Sequence, residues 1–285
     1  DQYVVEKLGA TNAVAKIGER YFKTLADAVA AVHEETGADR MEEHVITLLK
    51  SVSGGGFGVG YESLKNSDGK ITAIGNSPVN IVIDLGKNKY TIEAPTVGSS
   101  GTETNGFQFL KGSSVTIRNG SMELKSGVRC AYLFQNYANL KLENVSVDIS
   151  KNEPCEALLQ TMHGKVDIIG NTSLISGDTY KWSESDYGTQ RAIKVMDWNN
   201  SAYGEGTQVT IDTTGTIDGS VYASYYKVEN VSDGTENSTL TIKNGHFAKG
   251  ISRFAHANSP DIFISGGYFT SDPSDYVATG YYAGE

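Results

Sequence analysis

One short pattern recurs along this chain and constrains its fold more than any other feature. The segments Asn80-Ile81-Val82-Ile83, Ser114-Val115-Thr116-Ile117, Asn139-Leu140-Lys141-Leu142, Lys165-Val166-Asp167-Ile168, Gln208-Val209-Thr210-Ile211, Thr239-Leu240-Thr241-Ile242 and Asp261-Ile262-Phe263-Ile264 align by their apolar positions. Most set two apolar residues around a polar one, the period of a half-buried strand, and several precede turn signals such as Asn119-Gly120, Asn244-Gly245 and Gly266-Gly267. The markers Ile81, Val115, Leu140, Val166, Val209, Leu240 and Ile262 follow one another at unequal steps. Several of those steps are close to about 25 residues, the length of one coil of a β-solenoid.

A second strand-like run fits between successive copies: Phe107-Gln108-Phe109-Leu110, Ala131-Tyr132-Leu133-Phe134, Ala157-Leu158-Leu159, Ala192-Ile193-Lys194-Val195, Val221-Tyr222-Ala223 and Ile251-Ser252-Arg253-Phe254. Two or three short strands per coil let each coil pair only with its neighbours around a shared aliphatic interior. The expected fold is therefore all-β, a right-handed single-stranded parallel β-helix with a short N-terminal capping helix. An antiparallel sandwich is the alternative, but it does not require the same residue types to return in phase. Handedness follows from the general preference of parallel crossovers. Thr24-Leu25-Ala26-Asp27 reads as a capping box, and Leu25, Ala28, Val29 and Val32 fall on one helical face. The expected organisation is an N-terminal strand and capping helix over 1–43, the β-helix over 44–270 with an insertion near 176–206, and a capping tail over 271–285, where Tyr276, Tyr281 and Tyr282 would close the far end.

The residues also carry a resemblance. The opening, Ala15-Lys16-Ile17-Gly18 through Tyr21-Phe22-Lys23-Thr24-Leu25-Ala26-Asp27-Ala28-Val29 and Val45-Ile46-Thr47-Leu48-Leu49-Lys50, resembles secreted or wall-attached β-helix proteins of Gram-positive, often gut-dwelling, bacteria. So do Gly101-Thr102-Glu103-Thr104-Asn105-Gly106-Phe107-Gln108-Phe109-Leu110-Lys111-Gly112-Ser113 and the close, Ile264-Ser265-Gly266-Gly267-Tyr268-Phe269 with Asp272-Pro273-Ser274-Asp275-Tyr276-Val277-Ala278. The segment from about Ser176 to Gly206 is outside it. The resemblance implies a pectate-lyase-like fold and an extracellular or cell-surface location, in proteins commonly classed as adhesive or uncharacterised; it implies little chemistry.

Composition narrows the partners. With 24 basic and 34 acidic side chains the formal charge is −10, which disfavours nucleic acid as a partner. No apolar run approaches the ~18 residues of a membrane-spanning helix, so no membrane insertion is expected. His33, His44, His246 and His256 are scattered without ligand spacing, and neither a metal nor a cofactor is expected.

The longest step, from Val166 to Val209, exceeds a coil of about 25 residues by about 18 residues. It holds both tryptophans, Trp182 and Trp198. Loops projecting from a rigid scaffold commonly carry function. Tyr180, Tyr187 and Tyr203, with Asp178, Glu184, Asp186, Asp197 and Glu205, surround them, a set suited to stacking and orienting a neutral sugar. The plainer reading is that these aromatics fold back as a satellite cluster; Ca²⁺ on Asp178, Glu184 and Asp186 is a third, with spacing that matches no known loop. Tyr137 and His163, at equivalent places just before the markers Leu140 and Val166, would extend a binding surface or else sit as corner residues. The candidate ligand-binding set is thus Trp182, Trp198, Tyr180, Tyr187, Asp186, Tyr137 and His163, for a glycan or host surface, in a non-catalytic module.

Two other readings stand beside it. One is a polysaccharide lyase or glycoside hydrolase using Arg191 or Lys194 as base or charge neutraliser, although the chain has no Asp-Asp pair and Arg191-Ala192-Ile193-Lys194 has one residue too many for the hydrolase signature. The other is a passive spacer in a larger surface protein. Cys130 and Cys155, the only cysteines, follow the markers Val115 and Leu140 at the same offset and should stack on adjacent coils, either bridged or as thiols in an interior column. Asn119, Asn144, Asn171, Asn199, Asn230 and Asn237 begin Asn-x-Ser/Thr triplets and read as turn residues that tolerate left-handed backbone.

Overall fold

The computed structural model describes residues 6–35, 37–65, 71–98, 104–151, 155–176, 179–183, 186–189, 191–198, 206–226 and 238–284, with backbone alone for 61–65, 71–76, 179–183 and 186–189. The fold is predominantly β and its sheets are largely parallel. Among the described residues there are a 14-stranded sheet, a seven-stranded sheet and two two-stranded hairpins.

The recurring segments are the spine of the first sheet. Its strands Asn80–Asp84, Ser114–Leu124, Asn139–Asp148, Gly164–Gly170, Thr207–Asp218, Thr239–Phe247 and Asp261–Ile264 pair in chain order, each parallel to the next. The register places Ile81, Val115, Leu140, Val166, Val209, Leu240 and Ile262 in one row, so the spacing read from the sequence is the spacing of the ladder. All seven side chains are buried, as are Ile83, Ile117, Leu142, Ile168, Ile211, Ile242 and Ile264 two residues further on. Alternation puts both sets on the inner face, and the polar residues between them face out.

The second sheet holds the other runs: Gly58–Val59, Phe107–Phe109, Tyr132–Asn136, Ala157–Thr161, Arg191–Trp198, Ser220–Tyr226 and Ile251–Arg253, again in chain order and all parallel. From Phe107 onward the chain alternates between the two sheets and advances one strand on each visit. Their inner faces share one core in which the rings of Phe107 and Phe134 stack 5.4 Å apart. An antiparallel sandwich is excluded by these pairings. Among the described residues the antiparallel pairs are confined to the start, where Ala15–Ile17 joins Arg20–Phe22 and Glu43–Leu48, to the two hairpins and to an isolated bridge between Val97 and Asn105.

Long strands of the first sheet bend sharply halfway. Asn119 (φ 61°) and Asn144 (φ 51°) are left-handed at successive corners, and Gly170 (φ 66°) stands at the next. Amide side chains tolerate this conformation and Gly adopts it freely. Asn144 also accepts the Asn171 N–H through its Oδ1, at 2.9 Å. A Cβ on Gly170 would lie 2.4 Å from that oxygen.

Near the N-terminus a helix spans Leu25–His33, the Thr24 hydroxyl accepts the Asp27 N–H at 3.0 Å, and Leu25, Ala28, Val29 and Val32 are buried against the core. His33 ends the helix, and its Nε2 accepts the N–H of Gly60 at 2.9 Å. At the far end Tyr276 packs on the core and Ala278 donates to the Ile264 carbonyl at 2.9 Å, partly covering the last strand. Tyr281 and Tyr282 do not close it, being 58 % and 90 % exposed.

Two consequences are measurable. Gly170→Ala should lower the unfolding free energy by about 1–2 kcal/mol or more through its left-handed backbone, read by urea titration, with an unchanged midpoint counting against the corner argument. Burial, and next the charge of Arg40, holds the His33 imidazole below its ordinary value of 6.5. The fold thus favours neutral His33, so its contribution is fully present above the unfolded-state value and is lost as pH falls toward the folded one. Unfolding titrations at pH 7.5 and 5.5 should show a loss of stability on acidification that is smaller in His33→Gln.

Candidate functional site

The outer face of the second sheet carries a continuous polar row. Pairing places Gln108 beside Gln135, Gln135 beside Gln160, Gln160 beside Lys194, Lys194 beside Tyr222 and Tyr222 beside Ser252, on six successive strands. At ~4.8 Å per strand the row is about 24 Å long. The amides bond along it: Gln108 Nε2 donates to Gln135 Oε1 at 2.6 Å, and Gln135 Nε2 to Gln160 Oε1 at 3.2 Å. Asn105 Nδ2 donates to Gln135 Oε1 at 2.9 Å. The three glutamines are buried, Lys194 is half-buried with Tyr222, and Ser252 is exposed, so the row opens toward the C-terminal strands.

Charges flank its N-terminal side. The Glu156 carboxylate accepts the Tyr132 phenol at 2.6 Å, takes a direct contact from Lys194 Nζ and lies 3.7 Å from Arg191. The Arg191 guanidinium also lies over the Tyr222 ring, 4.8 Å from its centroid. Side-chain exposures of 15 % for Glu156, 14 % for Lys194 and 19 % for Arg191 show that these cations do not simply project into solvent. Arg191, Ser220, Tyr222, Lys249, Ser252 and Ser271 line an open cleft of about 480 Å³ at the end of the row.

The opposite flank is apolar. Tyr137, Met162 and Met196 form a small cluster with Leu110 and Trp198 packed on it, and the Tyr137 and Trp198 rings lie 5.9 Å apart at 54°. Asn136 pairs with Thr161, so the residue that follows Asn136 in this column, Tyr137, meets Met162. His163, one residue further along, is also buried, and its carbonyl accepts from Asn136 Nδ2 at 3.4 Å.

The sequence candidates therefore divide. Tyr137 and Trp198 come together and His163 lies beside them. Trp182, Tyr180, Tyr187 and Asp186 belong to an antiparallel hairpin, Thr179–Ser183 with Asp186–Thr189, that holds much of the long step; their side chains lie outside the described residues. So do Asp178, Glu184, Tyr203 and Glu205, and with them the Ca²⁺ reading. Residues 191–198 of the expected insertion are a regular strand of the second sheet. The polar row was missed, although its signal is plain once the runs are aligned: a Gln, Lys, Tyr or Ser follows the inward residue of each. Among the described residues no group of three His, Cys, Asp or Glu is placed to hold a metal.

No family model, no curated protein and no solved structure matches the chain.

Glu156 is the centre of the charged flank. Glu156→Gln leaves two mostly covered cations without their anion and should cost about 1–3 kcal/mol, against about 1 kcal/mol for Tyr132→Phe. Denaturant titration of the two variants tests this order, and equal stabilities would contradict it.

Proposed function

We propose that the chain is a right-handed parallel β-helix, secreted or displayed on a cell surface, that acts as a non-catalytic carbohydrate-binding module. In-phase parallel pairing of both sheets, with several steps close to one coil in length, supports the winding, and the near-universal hand of parallel crossovers supports its sense. No helix among the described residues is long and apolar enough to cross a membrane.

The cleft at the open end of the polar row carries the binding reading. A pocket of a few hundred Å³ with a few convergent polar groups is the usual form of a small-ligand site. Here three serine hydroxyls and two cationic side chains surround one aromatic ring. Sugars present alternating hydroxyls and C–H faces, so hydroxyls, ammonium and guanidinium groups would take the former and the exposed part of Tyr222 the latter. The Arg191–Tyr222 contact forms one wall of the cleft. Trp198 is already packed on Tyr137, which moves the binding surface away from the tryptophan.

A glycan array of neutral and acidic polysaccharides tests the reading. The expected result is binding that falls roughly tenfold or more in Tyr222→Ala and stays unchanged in Tyr268→Ala, whose ring is exposed on the first sheet instead. No binding across the array, or equal binding by both variants, overturns it and favours the spacer. New reducing ends or unsaturated products from the same polysaccharides would replace it with the hydrolase or lyase reading.

A further inference from the structure

Cys130 and Cys155 lie one circuit apart and stand just before two paired strands, with Tyr132 opposite Ala157. Between them the Glu156 N–H donates to the Ala131 carbonyl at 2.8 Å, so the two segments are already joined by the ladder. Neighbouring parallel strands are ~4.8 Å apart, inside the Cα separation that a disulfide spans. Side chains at equivalent positions of a parallel pair ordinarily project side by side. These two converge: the Sγ atoms are 3.0 Å apart, about 1 Å more than a covalent S–S bond. Both are buried, at 2 % and 0 % exposure.

The pair is also chemically unequal. The hydrogen bond between the two sulfurs holds the Cys155 thiol below its ordinary value of 9.0 despite burial, helped by a backbone N–H of Cys130 and the charge of Arg129. The same hydrogen bond, with burial, pushes Cys130 up.

We propose that Cys130 and Cys155 form a disulfide that staples adjacent strands of the second sheet, closed by a small disulfide oxidant such as oxidised glutathione. The thiolate of one of the two cysteines attacks the oxidant, breaking its S–S bond and releasing one thiolate. The other cysteine then displaces the second as the protein S–S bond forms. The two protons of the protein thiols end on the two released thiols, and the oxidant takes up the two electrons. Burial of both sulfurs places this reaction during folding, before the interior closes. The staple lies next to Glu156 and would hold its carboxylate under Lys194 and Arg191. It does not depend on the carbohydrate reading.

The test is to refold the whole chain from urea in a glutathione redox buffer, block thiols with iodoacetamide and measure mass under denaturing conditions. The expected product is about 2 Da lighter than the reduced chain, takes up no carbamidomethyl group and yields a peptide joining Cys130 to Cys155. The equilibrium constant for bridging should be on the order of 10²-fold larger for the folded chain than in urea, the gain expected for closing a loop of this length. Two carbamidomethyl groups, glutathione adducts on both cysteines, or a folded-to-unfolded ratio of one or less would overturn the proposal.

Discussion

In-register parallel pairing is the constraint from which the rest of this structure follows. A parallel ladder places residue i beside its counterpart on the next strand, so every choice of side chain is repeated as a row. An apolar row builds core, as Ile81 to Ile262 does. A row of amides builds a hydrogen-bonded ladder, as Gln108, Gln135 and Gln160 do. A cysteine repeated once builds a close thiol pair. The left-handed corners at Asn119, Asn144 and Gly170 protect this register, because a corner that opened would shift every row beyond it.

The same rule governs the charged flank. Glu156 immediately precedes the strand Ala157–Thr161, and Arg191 and Lys194 lie on the strand paired with it, so Glu156 would meet neither cation in a chain read linearly. Removing polar groups from water is costly unless they find partners, and here one carboxylate serves a phenol and two cations at once. The Arg191 guanidinium lies over the Tyr222 ring while still near its anion.

Much of the fold was legible because its signal is repeated. Seven copies of one apolar alternation locate the first sheet, and their marker residues pair in the structure as their spacing requires. The helix was legible for a local reason: Thr24, Asp27 and the Leu25–Val32 face satisfy capping and amphipathic rules within a single short segment. The hairpin Tyr61–Lys65 with Ile71–Asn76 was not, since among the described residues it pairs only with itself and does not repeat along the two large sheets.

The site was harder to read because rarity drew the eye to the tryptophans while the informative residues were common ones. Trp198 is half-buried against Tyr137, and a large amphipathic ring packs in this way as readily as it binds. Gln108, Gln135 and Gln160 are unremarkable singly; only the register makes them a hydrogen-bonded row. In a chain where each strand contributes one residue per column, a candidate site has to be sought across paired strands, and a polar side chain recurring where aliphatics alone would suffice is the sign to follow. Amide bonds join Gln108 to Gln135 and Gln135 to Gln160, whereas beyond Lys194 the row changes to a tyrosine and a serine, which do not continue that chain of amides.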